Sequence, residues 1–71
     1  MDKQKRHLME ESVFHTARQW IFTPRAQQLF FRLILRYTGD TVSCAPEKAW
    51  FNICDAVSDA ELKELYEATR Y

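Results

Sequence analysis

The amino-acid sequence predicts an all-α fold, a small compact bundle of about four helices with no sheet. Three observations carry this reading. Apolar residues recur at spacings of three and four along the chain, the period of a helix that buries one face. Four short breaks, Thr23-Pro24, Tyr37-Thr38-Gly39-Asp40, Ala45-Pro46 and Val57-Ser58-Asp59, divide it into stretches of helix length. One Gly and two Pro in 71 residues, against 46% hydrophobic and 14% aromatic composition, describe a chain rich in packing side chains and poor in loops.

The first helix is expected over about residues 8–21, where Met9, Val13, Ala17, Trp20 and Ile21 make one continuous stripe. Glu10 and Glu11 lie in its early turns and Arg18 near its end, the polarity that suits the helix dipole. Residues 1–6 carry no apolar pattern after the first Met and are read as a flexible N-terminus, leaving 7–71 as a single helical domain.

The second helix, 24–37, has the clearest start. Thr23 caps it, and Pro24 takes the first helical position, where its missing N–H costs nothing. Gly39 is suited to the left-handed conformation that ends it. Ala26, Leu29, Phe30, Leu33, Ile34 and Tyr37 form its buried face, with Phe31 and Leu35 widening it. Arg25, Gln28, Arg32 and Arg36 make a narrow polar strip, so this helix is expected to be the most buried of the four.

Thr41-Val42-Ser43 can extend briefly but is too short for a sheet. A third helix runs from Pro46 to about Asp55, with Trp50, Ile53, Cys54 and Val57 on or just beyond its inner side. The fourth, about 59–70, opens on Ser58-Asp59-Ala60-Glu61, a capping box, and carries Leu62, Leu65, Tyr66 and Thr69 inward. Trp20, Leu33, Ile34, Trp50 and Leu65 are the expected centre of the core.

The same residues exclude several function classes. No apolar run approaches the roughly 20 residues of a membrane span, and the start has no signal-peptide pattern. A cytoplasmic protein is therefore expected, with Cys44 and Cys54 as free thiols. Neither cysteine sits in a C-x-x-C pair or at metal-finger spacing from His7 or His15, so no metal or other cofactor is expected. A nucleophile needs an oriented base, and Cys54 falls on an apolar face, where thiols are inert. One glycine cannot build a phosphate loop. The chain reads as a non-enzyme, with a small thiol or redox protein as a minor alternative.

Charge is more informative. The net is zero, but residues 1–38 hold seven basic and three acidic side chains, +4, and residues 39–71 hold three basic and seven acidic, −4. Between Ser12 and Gly39 there is no acidic residue, while Arg18, Arg25, Arg32 and Arg36 all fall there. Arginine binds carboxylate or phosphate through a planar fork. A nucleic-acid-associated transcriptional regulator is the main alternative this raises. The fourth helix, however, carries Asp59, Glu61, Glu64 and Glu67 against Lys63 and Arg70, which repels phosphate where a recognition helix would sit.

Ten aromatic side chains are more than a domain this small can turn inward. Phe22, Phe31 and Phe51 each neighbour a better inward residue, and surplus rings beside arginines have the composition of an interaction hot spot. The expected activity is regulation or inhibition through binding another protein, on a surface of Phe22, Arg25, Phe31, Arg32, Arg36 and Phe51. Small size points to a phage, plasmid or bacterial origin. Zero net charge and the aromatic surplus also predict a homodimer, most simply a two-fold one with each basic strip against the other copy's acidic fourth helix. The run Ser58-Asp59-Ala60-Glu61-Leu62 followed by Leu65-Tyr66-Glu67-Ala68 resembles a segment of the small Hha-type modulators, helical cofactors of nucleoid proteins. That resemblance spans about a dozen residues, does not extend to the first half, and implies the nucleoid-associated alternative.

Overall fold

A computed structural model describes residues 2–40 and 44–70. Four helices follow in order: α1 (Lys3–Gln19), α2 (Pro24–Thr38), α3 (Pro46–Ile53) and α4 (Asp59–Thr69), with no strand among the described residues. Thr41-Val42-Ser43 lies outside them.

The predicted caps form. The Thr23 hydroxyl accepts from the Ala26 N–H at 3.2 Å and donates to the Ala68 carbonyl at 2.9 Å, fixing the start of α2 to the end of α4. Gly39 adopts φ 73°, and its N–H closes α2 on Leu35. Ser58 accepts from the Glu61 N–H while the Glu61 carboxylate accepts from the Ser58 N–H, completing the capping box of α4.

The helices alternate around the core. α3 and α4 each pack on both α1 and α2, whereas α1 and α2 share no direct helix–helix packing among the described residues. Among the described residues, thirteen hydrophobic side chains fill the centre: Met9, Val13 and Ala17 from α1, Ala26, Phe30, Leu33 and Ile34 from α2, Ala49, Trp50 and Ile53 from α3, Val57 from the turn, and Leu62 and Leu65 from α4. Ala17, Ala26 and Ala49 let backbones approach, and Trp50 and Phe30 fill the space so left, their rings 6.4 Å apart. The Trp50 indole N–H is satisfied by the Glu10 carbonyl at 3.0 Å.

Three expectations need correction. Trp20 is not in the core: it is 41% exposed, because α1 ends at Gln19 and Trp20 and Ile21 follow as the turn. Phe31 and Leu35 do not widen the buried face of α2. They are 39% and 53% exposed, because α3 and α4 cover only the arc from Leu33 to Ile34. α2 still contributes the largest share of buried residues, four of thirteen, but one flank stays open and apolar. Finally, α1 begins at Lys3 rather than about residue 8, capped weakly by Asp2, whose carboxylate accepts from Gln4 at 3.4 Å.

The early start of α1 has a tertiary cause. From this first turn, the Arg6 guanidinium donates to the carbonyls of Cys54 at 2.9 Å and Val57 at 2.6 Å, meets Glu10 at 3.2 Å, and pairs with Asp59. It thus satisfies carbonyls left over where α3 ends, in the place where a cation best suits the helix dipole.

Candidate docking surface on helix α2

The chain between α1 and α2 is only four residues, 20–23, and must reverse direction. It does so through Trp20, whose φ of 54° and ψ of 49° put it in the left-handed region, the one described residue other than glycine with positive φ. The Trp20 N–H bonds to the Ala17 carbonyl and the Ile21 N–H to the Thr16 carbonyl, both at 3.2 Å. That is a Schellman ending with tryptophan in the position glycine usually takes.

The conformation aims the indole over the start of α2. Its ring meets Phe22 edge-on at 5.5 Å, Phe30 at 6.2 Å and Phe31 at 5.6 Å. Phe22 in turn lies 4.9 Å from Phe30. The rings run from the buried centre outward, ending in exposed Trp20 and Phe31, and Leu35 extends the apolar row one helical turn beyond Phe31.

The arginines border this row. Arg25, Arg32 and Arg36 fall on one strip of α2, next to Phe31 and Leu35 around the helix. Arg25 and Arg32 are exposed and have no ion pair among the described residues, whereas Arg36 meets Glu61 at 3.0 Å and lies over the Tyr37 ring. Glu61 is heavily engaged. It accepts from Tyr37, Ser58 and Arg36, and the Tyr37 hydroxyl above all holds its carboxyl below the usual carboxylate range. The same hydrogen bond raises the Tyr37 phenol. A shallow depression of 140 Å³, lined by Leu29, Arg32, Leu33, Arg36, Glu61 and Glu64, marks the seam with α4.

Comparison of the chain with known protein families, with curated proteins and with solved structures finds no match. Function has to be argued from these side chains.

Five of the six expected contact residues, Phe22, Arg25, Phe31, Arg32 and Arg36, meet on this surface, although Phe22 is half-buried and supports it from beneath. Phe51 does not join them. It is 69% exposed on the other flank of α3, where it borders a cleft of about 340 Å³ with His7, Glu10, Glu11 and Phe14 of α1 and Trp50, Cys54 and Asp55. Trp20, the residue that organises the α2 surface, escaped the sequence reading. Its spacing continues the α1 stripe, and only the shortness of the connection to Thr23-Pro24 signals that a left-handed turn residue is required there.

The α1–α3 cleft gathers the chain's other chemical groups. Burial, then the carboxylates of Asp55 and Glu10, push the Cys54 thiol up, the opposite of what a nucleophile needs. Its sulfur meets the Phe51 carbonyl at 3.4 Å. Glu10, Cys54 and Asp55 hold one donor atom each within 4.8 Å of one another, but the Arg6 guanidinium already lies against Glu10. His7 faces Glu11 at 3.2 Å on the helix surface, and His15 is exposed beside Phe14. Among the described residues no charged or polar side chain is fully buried. No helix among them is long and apolar enough to cross a membrane.

Proposed function

We propose that the chain is a non-enzymatic regulatory or inhibitory protein that acts by docking another protein on the outer face of α2. Trp20, Phe31 and Leu35 supply the anchor, and Arg25, Arg32 and Arg36 border it. The observation that carries this reading is Trp20. A left-handed residue with a Cβ costs roughly 1–2 kcal/mol, a large cost for a domain this small, and glycine would avoid it. Tryptophan at that position leaves a two-fifths exposed indole above Phe31, so the strain supports a surface rather than the core. Trp and Arg are the residues in which interface energy concentrates.

The partner surface that fits is an apolar ridge edged by carboxylates, such as an amphipathic acidic helix. The mixture of rings and arginines favours protein over nucleic acid, since the strip is flanked by the apolar Phe31 and Leu35 and lies beside Glu61 and Glu64 of α4, which repel phosphate. The test is capture from a lysate of the encoding organism with the wild type and with Arg25→Glu/Arg32→Glu and Phe31→Ser variants. A partner retained by the wild type and lost by both variants supports the reading. A partner captured equally by all three overturns it, as does steeply salt-dependent binding to random duplex DNA.

A further inference from the structure

We propose that the α1–α3 cleft is a second docking site, and that its occupant is the α2 surface of another copy of this chain, so that copies associate head to tail. The two surfaces complement each other. One carries Arg25, Arg32 and Arg36 beside Trp20, Phe31 and Leu35; the other carries Glu11 and Asp55 beside Phe51 and Phe14. The charges available for pairing differ in sign. Arg25 and Arg32 have no ion pair among the described residues, Asp55 has no basic partner there, and Glu11 meets only His7. Phe51, the most exposed large hydrophobic side chain among the described residues, and the cleft of about 340 Å³ beside it give an arginine or phenylalanine of the neighbour both a ring to stack on and a carboxylate to meet.

The acidic helix α4, the other candidate face for the arginines, has two of its four carboxylates, Asp59 and Glu61, committed within the chain. Glu61 holds Tyr37, Ser58 and Arg36, and Asp59 holds Arg6. Strip and cleft share no residue, the strip lying on α2 and the cleft between α1 and α3. A contact between two different surfaces is heterologous and does not close on itself as a two-fold dimer does. A standard interface covers about 800 Å² per partner, roughly one-sixth of the chain's 4911 Å² surface, which leaves room for one at each site. Zero net charge leaves no long-range repulsion between copies.

This proposal shares the α2 surface with the functional reading above but stands or falls on the cleft. Sedimentation equilibrium is run on the wild type, on Arg25→Glu/Arg32→Glu, and on Glu11→Lys/Asp55→Lys, all four positions being exposed and each variant checked for its helical circular dichroism. The wild type is expected to gain mass continuously with concentration beyond two subunits. Each variant alone is expected to associate at least about tenfold more weakly. An equimolar mixture of the two should regain association, since the intact strip of one variant meets the intact cleft of the other and the two reversed surfaces are again opposite in sign. A Phe51→Ser variant, which changes no charge, should weaken association as well. A wild type that stays at 8.5 kDa throughout, a cleft variant that associates like the wild type, or a mixture that remains monomeric overturns the proposal. The cleft variant keeps the α2 surface intact, so its capture of a foreign partner reports on the functional reading independently.

Discussion

Replacing Trp20 by glycine and by alanine separates its backbone strain from its ring contacts. Both substitutions remove an indole that lies 5.5–6.2 Å from Phe22, Phe30 and Phe31. Removing a fully buried large ring costs about 3–5 kcal/mol; with 41% of Trp20 exposed, about 2 kcal/mol is expected. The backbone then distinguishes the two. Alanine keeps a Cβ at φ 54°, which costs roughly 1–2 kcal/mol, while glycine escapes this but gives up roughly 0.5–1 kcal/mol of unfolded-state freedom. Trp20→Gly should therefore be the more stable by about 0.5–1 kcal/mol, the reverse of the order in a helix. At 4–8 °C per kcal/mol for a domain of this size, that is a difference of about 2–8 °C in melting temperature. Thermal unfolding followed by circular dichroism measures it. If Trp20→Ala melts at or above Trp20→Gly, the left-handed turn and the argument built on it are wrong.

Other substitutions test the packing. Leu33→Ala should cost about 2–5 kcal/mol, and Leu35→Ala, two positions away but more than half exposed, under about 0.5 kcal/mol, read as urea midpoints. Arg6→Ala should cost about 1.5–3 kcal/mol, because it strips the Cys54 and Val57 carbonyls of a charged donor, and Arg6→Lys should recover only part, lacking the fork that reaches both. Asp59 and Glu61 both titrate below their ordinary values of 3.8 and 4.5, held down chiefly by Arg6 and by Tyr37. Their contribution is complete above those values and is lost as pH falls through the lower folded ones. Melting temperature should thus drop from about pH 4.5 downward, and Glu61→Gln, which keeps the capping box, should flatten that drop.

Local signals in the sequence located most of the fold. Thr23-Pro24, Gly39 and Ser58-x-x-Glu61 act within one helical turn, so α2 and α4 begin and end within a residue or so of where those motifs put them. Leu33, Ile34, Trp50 and Leu65 are buried as their periodicity required. What periodicity could not tell is how wide an arc of each helix is covered, which depends on where the neighbours lie. Phe31 and Leu35 therefore looked inward and are not. Arg6 was hidden for a related reason: beyond its local pair with Glu10, its partners Cys54, Val57 and Asp59 lie about 50 residues away. Composition indicated an aromatic surplus beside arginines, and five of the six residues chosen for it share one surface. Phe51 sits elsewhere because α3 turns it toward α1.

The measurement that bears most directly on the α2 docking surface is photocrosslinking with a photoreactive phenylalanine analogue placed singly at Phe31, and at Lys63 on exposed α4 as the control, in the encoding cells. The account predicts a discrete covalent adduct to a defined polypeptide from position 31, absent from position 63 and abolished when Arg25→Glu and Arg32→Glu are added. Equal labelling from the two positions, or adducts at 31 that persist after both charge reversals, would contradict it.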